Sequence, residues 1–407
     1  MLILLASVLG TLMVRVALWR ANVALRERQQ MAAQRWLWVS MSLNWAPWLT
    51  ADRAETHYLQ AKVWRRSGQL ELVAEALNRA KSLNFDQSLL EREQSFALAQ
   101  DGQFQRLGRG WGRLFLESGS DAPELADAYV TFCCSRFRLA EADQVLASWE
   151  ADFPEDHRPH WHRGRMRFVL QEWDACLLSL ERATQLAPSD VATRLLKAQA
   201  HAKLLQFAEA EVQLAVALRW EPHNATALIL LAICQSHRDD VDGARQSLQH
   251  VLAQAPGNFE ALRELGLLEL KWGHFSTAQE VLQRAVVSHE EDAELRHALA
   301  KALTATGRAS DAEAHFAFQE EAAKPLLRLP ELTTRLSRQP QDVELRHAVA
   351  RIVWTYRSRA DGLLWLKSTL EFAPAHAATH ALLAEHYRLV GKHELARQHA
   401  AASGDQP

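Results

Sequence analysis

The stretch "HRPHWHRGR", residues 157–165, sets His157, His160 and His162 close together. Imidazole is the commonest metal ligand and a general base near neutral pH, so such density raises the question of metal-assisted hydrolysis. On a helix, His157 and His160 share a face while His162 points aside. No cysteine or carboxylate nearby in sequence completes a tetrahedral set. His376 and His380 are four apart, as zinc pairs can be, but no H-E-x-x-H occurs, and "HELARQH", residues 393–399, has the wrong spacing. No P-loop, G-x-S-x-G or glycine-rich strand-to-helix turn is present, and no nucleophile, base and orienter can be named. The expectation is solvated histidines, no catalytic residue, no metal and no cofactor. A metal-dependent hydrolase is the remote alternative.

The four cysteines, Cys133, Cys134, Cys176 and Cys234, form no C-x-x-C. That speaks against structural zinc and thioredoxin-like chemistry, and adjacent Cys133 and Cys134 cannot easily pair with each other. The formal net charge is −3, with no basic excess to attract nucleic acid. Glycine and proline fall almost entirely outside the apolar-periodic stretches, and alternating β-branched runs are nearly absent. The fold class expected is all-α.

What positions these residues is a repeat. Ala210, Leu214, Ala217 and Pro222 recur as Ala244, Leu248, Val251 and Pro256, each 34 residues later. Extended outward, the register starts units at Ala54, Ser88, Pro123, His157, Val191, Ala225, Phe259, Ala293, Val343 and Ala377. One residue is gained before Pro123 and sixteen before Val343. Position 8 of the units reads Ala61, Ser95, Val130, Gly164, Ala198, Ala232, Gly266, Ala300, Ala350 and Ala384. Position 20 of the last eight reads Ala142, Cys176, Ala210, Ala244, Ala278, Ala312, Gly362 and Ala396. Small residues at facing positions let two helices approach closely. Position 15 carries Gly68, Gly102, Gly273, Gly307 and Gly391, which end a first helix, and position 32 carries Pro154, Pro188, Pro222, Pro256 and Pro374, where a second helix stops.

This pattern resembles the tetratricopeptide repeat family, whose units have 34 residues, small residues at 8 and 20, and proline at 32. Residues 262–286, "LRELGLLELKWGHFSTAQEVLQRAV", carry the closest match. The aromatic at position 11 survives only as Trp64 and Tyr387, and the first two units lack alanine at position 20. The resemblance implies paired antiparallel helices stacked into a right-handed α-solenoid with a concave surface for protein or peptide ligands. Residues 54–324 are then units 1–8, residues 325–342 an inserted helix, residues 343–402 units 9–10, and residues 403–407 a disordered tail.

Ahead of the repeats, "MLILLASVLGTLMVRVALWR" is apolar from Leu2 to Val14 and again after Arg15. Eighteen helical residues span about 27 Å, a bilayer core, so residues 1–19 read as a transmembrane anchor rather than a cleaved signal peptide. Residues 20–53 read as a connecting and N-capping helix, with Pro47 near its end. Arg15, Arg20, Arg26, Arg28 and Arg35 all follow the apolar run. They favour a cytoplasmic repeat domain, with a periplasmic one as the alternative; either way the protein is expected to be single-pass.

First helices line the concave surface through positions 2, 5, 9 and 12. Near the anchor these positions supply Tyr58, Lys62, Arg65 and Arg92. The middle supplies Trp161, Arg165, Phe168, Leu195, Gln199, Ile229, Ile233 and Leu267, and the far end Arg263, His297, Lys301, His347 and Arg351. An apolar floor between cationic ends suits an extended or helical peptide with acidic flanks. The Lys and Asn set of a carboxylate clamp is not supplied. The functional expectation is a membrane-anchored scaffold or adaptor for protein–protein interactions. A component or assembly factor of a secretion, pilus or outer-membrane machine is the alternative.

Overall fold

The computed structural model describes residues 2–26, 29–43, 50–107 and 119–404. Among these residues there are helices and no strands. They are α1 (Leu2–Arg26), α2 (Gln30–Leu43), α3 (Thr50–Arg66), α4 (Leu70–Ser82), α5 (Gln87–Gln100) and α6 (Phe104–Leu107). A 3-10 turn, Gly119–Asp121, leads into α7 (Ala122–Ser135) and α8 (Leu139–Asp152). There follow α9 (Arg158–Val169), α10 (Trp173–Leu186), α11 (Val191–Lys203), α12 (Phe207–Trp220), α13 (Ala225–His237), α14 (Val241–Gln254), α15 (Phe259–Lys271) and α16 (Phe275–Ser288). The last are α17 (Ala293–Ala305), α18 (Ala309–Arg338), α19 (Val343–Tyr356), α20 (Arg359–Phe372), α21 (Ala377–Leu389) and α22 (His393–Ser403). The chain divides into two compact units, residues 1–133 with 144–153, and residues 134–143 with 154–407.

Local sequence explains each hairpin. At the turn, position 15 adopts a left-handed conformation in nine of the ten units, whether or not it is glycine: Gly273 has φ +79°, but Phe137, Gln171, Leu205 and Asp239 lie between φ +57° and +62°, and Arg357 in the ninth unit, at φ −135°, is the exception. The following residue donates its N–H to the carbonyl five back, as His274 does to Glu269 and Gln206 to His201, a Schellman closure of the first helix. At the other end of the unit, Asp190, Asn224, Asn258, Asp292 and Asp342 cap the next first helix by accepting from the third backbone N–H beyond.

The small positions are contact points. Ala198, Ala232, Ala300, Ala350 and Ala384 at position 8, and Ala210, Ala244, Ala278 and Ala312 at position 20, are all buried. A methyl added at Gly266 would sit 2.5 Å from Leu282 Cδ2, and one at Gly164 would sit 2.6 Å from Leu180 Cδ2. These leucines occupy position 24, which is fully buried as Leu180, Leu214, Leu282 and Leu366. The chain is a tetratricopeptide-like helical repeat protein, and its core is this line of leucines between paired helices.

Two expectations are corrected. No helix among the described residues is long and apolar enough to cross a membrane, so the single-pass membrane placement is overturned. One face of the second half of the apolar run is protein core instead, while Leu12, Met13, Val16 and Trp19 are exposed. Val14, Leu18, Ala21 and Leu25 pack against Ala33 and Leu37 of α2 and Leu59 and Val63 of α3. Arg15 lies 3.6 Å from Asp52, and Arg20 stacks beside Trp19 and Trp36. Side chains 2–9, Arg26, Arg28 and Pro47 lie outside the described residues. The segment read as a separate inserted helix is the second half of α18, which runs unbroken through Pro325 and Pro330. Each proline removes one helical donor, at about 3 kcal/mol in a free helix. Here Leu329, Leu332 and Leu336 pack on Leu345, Val349, Ile352 and Val353 of α19 and hold the helix together.

Candidate peptide-binding face

Within the second unit, the first helices α9, α11, α13 and α15 each touch the next first helix, as far as α17. Packing between successive second helices is at most marginal. Elements that meet their second neighbours lie on the inside of a curve, so the first helices form the inner side from α9 to α17. Between α17 and α19 that succession is interrupted: α18 packs on α17 with its first half and on α19 with its second.

On this side Trp161, Arg165, Phe168, Leu195, Gln199, Ile233, Arg263, Leu267 and His297 are half-buried and Lys301 is exposed; on α19, past the interruption, His347 is half-buried and Arg351 exposed. Ile233 and Leu267, one unit apart at position 9, meet in a cavity of about 320 Å³ between α13 and α15. Ala232, Leu248 and Leu268 complete its apolar floor, and Ser236, His237, Glu264 and Lys271 give it a polar rim. Those rim residues were not among the expected ones. Ser236 sits at position 12, within the positions read from the spacing though not among the residues named there, and His237 and Lys271 sit at position 13, one step past them. Lys271 donates to the Ser236 carbonyl at 2.7 Å and lies 3.6 Å from Asp239, so its ammonium group bridges the end of α13. Two ring nitrogens on this side, Trp161 Nε1 and His297 Nδ1, are buried without a hydrogen-bond partner among the described residues.

The cationic far end is smaller than the residue types imply. Arg263 pairs with Glu264 and Glu294 and lies 4.0 Å from Asp292. Burial lowers the His297 pKa, and Lys301 lowers it further. Burial, His376 and Arg351 lower that of His347, against a small opposing pull from Glu344. Both imidazoles are therefore neutral at pH 7, which leaves Lys301 and Arg351 as the cations of this end. Glu264 shifts the other way: burial raises its carboxyl pKa despite the neighbouring Arg263.

Two expected contacts are corrected by burial. Ile229 is 8% exposed and belongs to the core of α13–α17. Arg65, in the first unit, is 1% exposed, paired with Glu93 and 3.3 Å from Asp121. The basic residues around it converge on the same carboxylate. Lys62 lies 3.5 Å and Arg92 4.0 Å from Asp121, Arg66 is paired with it, and Tyr58 stacks on Phe85. Asp121 carries no repeat signal, so the spacing could not have marked it.

The histidine stretch is also structural. His160 and His162 are buried, and His157 lies 3.8 Å from Asp190. The His380 and His399 Nδ1 atoms are 2.7 Å apart, too close to hold an ion between them. No group of three potential ligands could hold a metal among the described residues.

A family model described as "T7SS, ESX-1 secretion system protein EccA1, N-terminal domain" matches residues 103–266. The chain is 24% identical over 204 residues to DnaJ homolog subfamily C member 7 of Mus musculus, covering 47% of this chain and 41% of that protein. It thus spans less than half the length of that relative. Among solved structures, PilW, a widely conserved type IV pilus biogenesis factor, is 18% identical with a TM-score of 0.45, covering 48% of this chain and 90% of that one. Pseudomonas aeruginosa PilF is 14% identical with a TM-score of 0.38, covering 56% and 97%. MamA is 17% identical with a TM-score of 0.35, covering 40% and 90%. The chain resembles these proteins over parts of its length, and none of them fixes what it binds.

Proposed function

We propose that the chain is a scaffold that captures an extended or helical polypeptide on the inner side of its second unit. One observation carries this reading: the cavity between α13 and α15, in which Ile233 and Leu267 form an open apolar floor edged by Ser236, His237, Glu264 and Lys271. A concave apolar site with a few polar groups is the form that binding sites take. An apolar side chain of the partner enters there, and acidic residues further along it meet Lys301 and Arg351. No nucleophile or metal set accompanies the cavity, so binding rather than chemistry is the activity proposed.

The test is capture of partners by the purified chain, with Ile233→Asp plus Leu267→Asp on the inner side. Val212→Asp plus Val287→Asp, on exposed positions of the second helices α12 and α16, is the control. The inner pair is expected to lower recovery of specific partners at least tenfold with helical content unchanged, and the outer pair to leave it intact. Equal recovery by both would end the proposal. A second, more specific reading is service in a secretion machine. The match of residues 103–266 to the EccA1 N-terminal domain family favours it, and a gene deletion that left protein export unchanged would remove it.

A further inference from the structure

In a linear stack of hairpins each unit touches only its neighbours. The second unit departs from this rule. The short segment 134–143, around the turn between α7 and α8, belongs to this unit and meets it at two places far apart in sequence. On one side Arg163 of α9 lies 3.4 Å from Asp143. On the other side Arg136 donates to both carboxylate oxygens of Glu371, at the end of α20. The Arg136 carbonyl accepts from Arg346 of α19 at 2.8 Å, and the Phe137 ring lies 5.5 Å from that of Trp365. Arg346, wholly buried, also donates to Ser368 Oγ at 2.8 Å and to the Pro340 carbonyl, and its guanidinium lies 4.6 Å from the Phe372 ring. The stack from α9 to α20 is therefore tied end to end by one turn.

We propose that this turn is a reversible clasp, and that the second unit opens at Arg136–Glu371 rather than between hairpins. The two kinds of junction differ in chemistry. Neighbouring hairpins share a continuous apolar core, as the cluster from Ile229 through Leu248, Leu265, Leu282 and Leu299 illustrates. Water cannot replace such contacts. The clasp consists of one ion pair, one arginine-to-carbonyl bond and one ring pair. The Arg136 and Glu371 side chains remain 19% and 20% exposed, so water and salt reach them and can substitute for each other's partner on opening. The clasp is the weakest junction of the closed stack. Its opening would give a polypeptide with no free end a way onto the inner side, whatever that polypeptide is.

The full chain with Arg136→Glu, with Glu371→Arg, and with both reversals together tests this. Helical content comes from circular dichroism, the radius of gyration from small-angle X-ray scattering, and backbone exchange at residues 359–372 from mass spectrometry. Each single reversal is expected to raise exchange there at least tenfold and to enlarge the particle without loss of helix. The double reversal is expected to restore both. Single variants that match the wild type, or a double variant as open as the singles, would overturn the clasp. So would loss of helix in the singles and in the milder Arg136→Gln, which would make the contact part of the fold rather than a gate.

Discussion

Gly362 shows what a single repeat position demands. It stands at position 20, and an added methyl would collide with the backbone and Cβ of Trp354. Only separation of α19 from α20 could make room for it. At Gly266 the obstacle is the far end of the Leu282 side chain, with the nearest backbone atom at 3.5 Å. Gly362→Ala is therefore expected to destabilise the protein by about 3 kcal/mol, and Gly266→Ala by about 1 kcal/mol, on the scale of overpacked cores. Urea denaturation midpoints read the difference, and equal losses would contradict it. The small residues at positions 8 and 20 were legible in the sequence because steric exclusion leaves an identity behind. The burial of Ile229 beside half-buried Ile233 was not. Both are apolar and sit on one helical face, and only the packing of the neighbouring unit distinguishes them.

Helix ends were legible where backbone geometry selects a residue type, as glycine at position 15 and proline at position 32 show. Four units place Phe137, Gln171, Leu205 or Asp239 at the same left-handed turn, and there only the register reveals it. The aspartates and asparagines that cap the first helices recur at 34-residue spacing from Asp190 to Asp292, a signal present in the sequence though not used. The first element was misread for a physical reason: an apolar helix suits lipid and protein core equally, and α2 and α3 supply the core. Asp121 ties the 3-10 turn to α3 and α5. Burial raises its pKa, but Lys62, Arg65 and Arg66 outweigh burial and hold it at about 2, against an ordinary 3.8. A depressed carboxylate stabilises the fold fully above its unfolded pKa and loses that contribution as pH falls through the folded one. About 2 kcal/mol should thus be present above pH about 4 and gone below pH about 2. The gap in melting temperature between wild type and Asp121→Asn should close over that window, and a constant gap would contradict the assignment.

At the scale of the whole molecule, the repeat register predicted the series of hairpins because each unit obeys the same local rules. Two features break the series. The insertion before Val343 was legible as sixteen extra residues and a further helix, but not its continuity with the preceding helix as α18, which separates α17 from α19. The contact of Arg136 with Glu371 joins residues too far apart for any periodicity to link. The measurement closest to the central claim is hydrogen exchange of the full chain, alone and with a captured partner. Protection is expected on the inner helices, above all the C-terminal halves of α13 and α15 around Ile233 and Leu267, with little change on α12, α14 and α16. Protection confined to those second helices, or to the first unit, would contradict the account.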